Sequence, residues 1–246
     1  MKAIRVLVNG AKGRMGQEAV KAISAENGLV LVAQTDLGDS LKDIIASSQA
    51  QVVVDFTTAL TVFENTKLIL DAGARPVIGT SGLLSEQVKE IQALGAQRKL
   101  GGLIAPNFAI GAVLMMKFAQ EATKYFPQAE IIELHHDKKV DAPSGTAIKT
   151  AAMIAEARTQ APPKLVEKEL LPGARGAKAQ EVPIHSVRLP GLMAHQEVIF
   201  GGLGQTLTIR HDSIDRSSFM PGVCLACKKV VDLREIVYGL EHLLRN

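Results

Sequence analysis

The chain predicts an α/β fold, in which a doubly wound parallel (Rossmann) sheet is followed by a second α+β domain with a mixed, largely antiparallel sheet. Three observations carry this. Short apolar runs alternate with helical patterns through residue 106, the rhythm of βαβ units. The first unit is interrupted by a glycine-rich turn, Asn9-Gly10-Ala11-Lys12-Gly13-Arg14-Met15-Gly16. Past residue 180, three alternating runs follow one another with no helical pattern between them, so antiparallel strands are expected.

The elements follow in order. Ile4 to Val8 is apolar throughout, as in a parallel strand buried on both faces. The glycine-rich turn then leads into a helix with Met15, Ala19, Ala22 and Ile23 on one side. The spacing G-x-x-G-x-x-G is weak alone, but strand, glycine turn and helix are the context a dinucleotide site requires. No Gly-Lys-Ser/Thr follows, which excludes a P-loop. The second strand, Leu29 to Ala33, leads to Asp36, 20 residues past the last glycine, where a carboxylate can accept from ribose hydroxyls. Leu37 beside it offers no charge to a 2′-phosphate, which tilts the expectation toward NADH, while Lys12 and Arg14 keep NADPH open.

Val52 to Thr57 is the third strand, Thr61 to Leu70 a helix, and Pro76 to Gly82 a strand with a glycine-rich exit. Ser85 is expected to cap the next helix, and Leu103 to Ala105 is a strand ending in Pro106-Asn107-Phe108. Ile110 to Phe126 is a long helical pattern. Ile131 to Leu134 delivers the segment His135-His136-Asp137-Lys138-Lys139, and a helix runs on from Thr146 to near Arg158. Residues 159–182 lack periodicity and read as a long mobile loop, with Lys164, Lys168, Arg175 and Lys178 in solvent. The runs Ile184 to Leu189, Glu197 to Phe200 and Thr206 to His211 are strands, and Gly222 to Leu244 reads as helical.

Composition limits the function classes. With 47% hydrophobic and 22% charged residues, 246 residues can build a sizeable globular core. A net charge of +3 is too weak to argue for nucleic acid. No apolar run approaches the roughly 18 residues of a membrane span, and Met1 leads straight into a strand, so a cytoplasmic protein is expected. Cys224 and Cys227 form a lone C-x-x-C without further zinc ligands at suitable spacing, so no metal is expected and both thiols are read as reduced core residues. His185, His195 and His211 have no metal-ligand spacing either and are read as surface or strand-face residues.

Residues 133–147, ELHHDKKVDAPSGTA, concentrate the most chemistry. Histidine and a partly desolvated lysine can each donate a proton. Ser144-Gly145-Thr146 opens a helix, whose free first-turn amides suit a carboxylate. The same spacing also fits a solvated strand end followed by an ordinary capped helix. This segment closely resembles the signature of the dihydrodipicolinate reductase family of the bacterial lysine and diaminopimelate pathway. GxxGRMG, DFT, VIGTSG and APNF match the cofactor segments of that family in order.

The resemblance implies the reduction of 4-hydroxy-tetrahydrodipicolinate, a cyclic dicarboxylate, to tetrahydrodipicolinate by hydride from NADH or NADPH. It implies His135 and Lys139 as proton donors, His136 as a substrate contact, and Gly145 and Thr146 as carboxylate ligands. It implies cofactor contacts at Gly10, Ala11, Lys12, Gly13, Arg14, Met15, Asp36, Gly79, Thr80, Ser81, Ala105, Pro106, Asn107 and Phe108. Residues 1–106 and 217–246 would form the cofactor domain, and 107–216 the substrate and oligomerisation domain of a homotetramer. The family often has Glu then Arg where this chain has Asp36 and Leu37, which puts a preference for NADPH in doubt. Two other readings stay open at this level: an oxidoreductase of similar fold with another substrate, and a regulator that binds NADH without turnover.

Overall fold

The computed structural model describes residues 3–163, 166 and 168–244. The chain divides into two compact units, Met1–Ile110 with Arg216–Asn246, and Gly111–Asp215.

The first unit opens with β1 (Ile4–Asn9), α1 (Arg14–Ala25), β2 (Leu29–Thr35), α2 (Leu41–Ser48), β3 (Val52–Asp55), α3 (Val62–Asp71), β4 (Arg75–Ile78), α4 (Ser85–Arg98) and β5 (Gly102–Ile104). The second unit holds α5 (Ile110–Ala122), less its first residue, then β6 (Gln128–His135), α6 (Gly145–Ala157), β7 (Ala177–Ala179), β8 (Val182–Arg188), β9 (Ala194–Gly202) and β10 (Gln205–Ser213). The chain then returns to the first unit through α7 (Met220–Lys229) and β11 (Ile236–Tyr238).

Sheet order in the first unit is β11-β5-β4-β3-β1-β2, parallel throughout. Helices cover both faces, so its central strands are apolar on both sides, and Val52, Val53 and Val54 have no exposed surface. One side of the sheet packs Leu7, Val53, Ile78 and Ile104 against Ile69, Leu70 and Ile91. The glycine-rich turn is sterically required. Gly10 sits at φ +77°, and a Cβ there would lie 2.4 Å from the Phe56 carbonyl oxygen. A Cβ on Gly16 would lie 2.0 Å from the Gly10 carbonyl oxygen, so α1 can pack this close to the turn only with glycine there.

Sheet order in the second unit is β10-β9-β6-β8-β7. β6 and β8 are parallel, joined by α6, and the other pairs are antiparallel, which makes the sheet mixed. Ala129, Ile131 and Glu133 of β6 all point to the buried face, where Ile131, Val198 and Phe200 pack on Ala147, Ala151 and Ile154 of α6. Glu133 thus stands where strand alternation would place another apolar side chain.

Several sequence expectations are corrected. Gly222 to Leu244 is not one helix: α7 ends at Lys229, and β11 adds to the edge of β5. Three residues are too few to show an alternation, so that strand is set by pairing alone. α2 is a short helix with only Leu41 and Ile45 buried, and its pattern gave no signal. Ser85 is the first residue of α4, not its cap; Leu84 precedes it and donates its N–H to Gln87 Oε1 at 2.9 Å. The stretch read as an unstructured loop contains β7, which pairs with β8. Arg175, expected in solvent, is half-buried and pairs with Glu130, which also bonds His185 Nε2 at 2.7 Å. Lys168 and Lys178 are exposed, and Lys164 lies outside the described residues. Cys224 and Cys227 are buried free thiols, and burial pushes the Cys224 thiol up to about 11 and that of Cys227 higher still.

Candidate active site

In the first unit, the chemistry gathers at the carboxyl ends of β1 to β5. Asp55, at the end of β3, is fully buried. It accepts from Asn9 Nδ2 at 2.8 Å, Asn65 Nδ2 at 3.1 Å, and the hydroxyls of Thr57 and Thr80, each at 2.7 Å. Thr35 in turn donates to Asn9 Oδ1 at 2.9 Å. One carboxylate therefore holds the ends of β1, β3 and β4 in register.

The residues expected to meet the cofactor fall into two groups. Lys12, Gly13 and Arg14 are exposed around the start of α1, while Ala11 is buried and Met15 half-buried. Gly13 is the N-cap and has no side chain to satisfy the first-turn amides of α1, which leaves that turn suited to a pyrophosphate. Asp36 Oδ1 accepts from Leu37 N–H at 2.9 Å and Oδ2 from Lys12 N–H at 2.8 Å; these backbone bonds hold its carboxyl below the usual range. Asp36 is thereby an ionised carboxylate fixed beside the glycine turn, as ribose recognition requires.

The second group is drawn more into the protein. Thr80 spends its hydroxyl proton on Asp55 and accepts the Thr57 N–H at 2.8 Å. Gly79 is tight against Phe56, whose ring would lie 2.1 Å from an added Cβ. Phe108 is 3% exposed, with its ring edge-on to Phe56 at 6.0 Å, so its side chain is core. Ala105 is buried, Asn107 Oδ1 accepts the Ala109 N–H at 2.8 Å, and Ser81 and Pro106 are exposed.

In the second unit, the histidine segment is organised by Glu133, which is 0% exposed. Arg188 grips it with both ends of its guanidinium, Nη1 to Oε2 at 2.9 Å and Nη2 to Oε1 at 2.8 Å. His135 Nδ1 bonds Oε2 at 2.5 Å, and the Ser144 N–H donates to Oε1 at 3.2 Å. Burial alone would push the Glu133 carboxyl up, but bonds from Arg188, Ser186 and His135 outweigh it and hold the pKa below the usual range. His135 is pulled down by burial and by Lys139 and Arg188, against the upward pull of Glu133. Lys139 Nζ forks onto Asp141 at 2.7 and 2.8 Å. Lys138 is exposed, and His136 is half-buried with a buried Nδ1.

Ser144 caps α6, its hydroxyl accepting the Ala147 N–H at 3.2 Å. Gly145 and Thr146 form the first turn beyond it. A Cβ on Gly145 would meet no protein atom within 4 Å, so protein packing does not demand glycine there. The turn is braced from β9: Gln196 Nε2 donates to Thr150 Oγ1 at 2.8 Å, which donates to the Thr146 carbonyl at 2.8 Å. The structure thus gathers His135, Arg188 and the start of α6 around the Glu133 carboxylate, with Lys139 a few residues along the chain. Among the described residues, no group of three or more His, Cys, Asp or Glu could hold a metal ion.

Sequence reasoning missed Asp55, Glu133 and Arg188 as site residues. Asp55 was signalled by a charge ending a run of three valines, and Glu133 by its place in the buried phase of β6. Arg188 had no local signal, because only parallel pairing of β8 with β6 sets it opposite His135.

The parallel sheet, glycine-bracketed turn and fixed Asp36 define a nucleotide-cofactor α/β protein of the Rossmann class. The comparisons are narrower. The family model for the N-terminus of dihydrodipicolinate reductase matches residues 4–108, and that for its C-terminus matches residues 111–244. The 4-hydroxy-tetrahydrodipicolinate reductase of Legionella pneumophila (strain Paris) is 54% identical over 240 residues, 98% of this chain and 99% of that protein. The one from Coxiella burnetii (strain Dugway 5J108-111) is 52% identical over 242 residues, 98% and 100% of the two chains. A solved structure of dipicolinate-bound dihydrodipicolinate reductase from Paenisporosarcina sp. TG-14 superposes with TM-score 0.90 at 48% identity, covering 98% of this chain and 100% of that one. The chain belongs to the dihydrodipicolinate reductase family.

Because its folded pKa is depressed, Glu133 contributes stability that is complete above the ordinary carboxylate range and is lost as pH falls through the depressed value. Arg188→Met leaves that carboxylate buried without its cation. Urea unfolding at neutral pH should show a loss of about 3–5 kcal/mol. The acid-side decline should also begin at higher pH than in the unchanged protein. Wild-type stability across the pH series would contradict the pairing.

Proposed function

We propose that this chain reduces 4-hydroxy-tetrahydrodipicolinate to tetrahydrodipicolinate with NAD(P)H, in diaminopimelate and lysine biosynthesis. The observation that carries this is the 54% identity across 98% of the chain to a reductase of that name. The substrate is a small cyclic dicarboxylate, the ligand class of the dipicolinate bound in the Paenisporosarcina relative.

When bound, the nicotinamide supplies the hydride. The turn from Gly10 to Met15, exposed at Lys12 to Arg14, and the bare first turn of α1 would take the pyrophosphate, and Asp36 would take the adenosine ribose. Main-chain atoms of Gly79 to Ser81 and Ala105 to Phe108 line the remainder, since the Thr80 hydroxyl and Phe108 ring are engaged by the protein. NADH is the preferred reductant. Asp36 is fixed as an anion that repels a 2′-phosphate, and Leu37, 94% exposed, supplies no cation to offset it.

In the second unit, Gly145 and Thr146 receive one substrate carboxylate and His136 contributes to binding. The 4-hydroxyl leaves as water with a neighbouring ring proton, giving a ring C=C conjugated to the imine. Hydride then adds to a carbon of that system, negative charge develops at the ring nitrogen, and His135 or Lys139 delivers the proton it takes. Lys139 is free to do so. Its pair with Asp141, whose side chain is 68% exposed, is of the surface kind worth about 0–1 kcal/mol, so an incoming dicarboxylate can displace it. The protein works as a cytoplasmic homotetramer built through the five-stranded sheet. Among the described residues, no helix is long and apolar enough to cross a membrane.

The direct test is NADH absorbance with freshly generated 4-hydroxy-tetrahydrodipicolinate, repeated with NADPH. Rapid consumption, faster with NADH, is expected; no consumption of either reductant would refute the activity. In the same assay, Lys139→Ala should lower turnover by about 100- to 10,000-fold with NADH affinity unchanged. Equal loss of both would remove Lys139 from the chemistry. Light scattering should give a mass near four chains, and a monomer at assay concentration would refute the assembly.

A further inference from the structure

Among the described residues of the second unit, Glu133 is the one fully buried charged side chain. Its partners come from separate parts of the fold. Arg188 reaches it from β8, the Ser144 amide from the cap of α6, and His135 from its own strand. The same guanidinium continues to the Asp141 carbonyl at 2.8 Å, in the loop that carries Lys139. A single carboxylate thus touches both halves of the proposed chemistry, the proton donor and the carboxylate-binding turn.

We infer that Glu133 is a positioning residue of the reductase, fixing His135 with its Nδ1 protonated and its Nε2 free to deliver a proton, and tying that ring to the first turn of α6. The inference rests on the reading of His135 and of the α6 turn given above. Its physical ground is the hydrogen-bond inventory. An ionised carboxylate only accepts, so the His135 nitrogen facing it must carry a hydrogen. Nε2 is then the nitrogen that gains and loses the mobile proton. Charge matters as well as direction. The charged groups acting on the ring are Glu133, which favours the imidazolium, and Lys139 and Arg188, which oppose it; Lys139 is itself paired with Asp141. Without Glu133, His135 would face two cations and a low-polarity wall with nothing to favour its acid form.

Glu133→Gln keeps the shape and removes the charge. Turnover should fall about 100-fold or more, with NADH affinity within about twofold of wild type. The alkaline limb of the kcat/KM pH profile should move to lower pH, because the ring now loses its proton sooner. A fall in rate with that limb in place would make Glu133 a structural residue only and overturn the inference. Should the variant fail to fold with Arg188 left unpaired, Glu133→Gln/Arg188→Met removes both charges and is assayed alike. A measurement on the unaltered protein stands beside these. Ring nitrogen-15 spectra of His135 should show the Nδ1–H tautomer above its pKa, and the Nε2–H tautomer would overturn the assignment. His135→Gln separates the two levels of the account. If it is inactive while Glu133→Gln matches wild type in rate and profile, only the role of Glu133 falls. If His135→Gln retains full turnover, His135 is not the acid and both fall.

Discussion

A carboxylate buried without compensation costs several kcal/mol, and Glu133 sits at 0% exposure in the wall of a sheet. The second unit is arranged so that this cost is offset. β8 must lie parallel to β6, because only that pairing sets Arg188 opposite His135 and within reach of the carboxylate. α6 must start where it does, because the Ser144 amide is one of the donors. The crossover between two parallel strands is thus tied to the polar site. Packing of Ile131, Val198 and Phe200 supplies cohesion, while the polar pairing fixes register.

The first unit meets a similar demand by different means. Asp55 is also fully buried, but its partners there are hydroxyls and amides of Asn9, Thr57, Asn65 and Thr80. Each such bond from a neutral donor to the carboxylate contributes about 1.5–3 kcal/mol and brings no countercharge, so several are needed where the Arg188 fork supplies two bonds and a charge in one contact. The result is a rigid rim of strand ends. The glycines then let the backbone of that rim approach closely, with Gly10 against the Phe56 carbonyl and Gly79 against the Phe56 ring.

The parts of this fold that repeat over a long enough window were legible in the sequence. The alternation of valine-rich strands with helices, the glycine turn feeding α1, and Asp36 at the end of the second strand were all visible, because each depends on neighbours a few residues away. α2, β7 and β11 were not, being too short to carry a period. Arg175 was read as solvated for the same reason that Arg188 went unnoticed: a lone arginine in a polar stretch gives no hint of the distant carboxylate it will meet, Glu130 in one case and Glu133 in the other. The histidine segment was legible as chemistry, but the pairing of its Glu133 with Arg188 was not, because it joins residues 55 positions apart. Thr80 and Phe108 show the reverse effect. The resemblance implied cofactor contact at both, and the fold uses the Thr80 hydroxyl for Asp55 and the Phe108 ring for the core.

At the centre of the proposed function is the first turn of α6, tied to His135 through Glu133 and proposed to receive a substrate carboxylate. Gly145 allows a clean test, since a methyl group there meets no protein atom within 4 Å and the residue is not in the left-handed region. Calorimetric titration of pyridine-2,6-dicarboxylate into the NADH-loaded protein and its Gly145→Ala variant addresses it directly. The account predicts an unchanged melting temperature with affinity at least about tenfold weaker, a loss of roughly 1.4 kcal/mol in binding. Equal affinity for the two proteins would place the carboxylate elsewhere and contradict it.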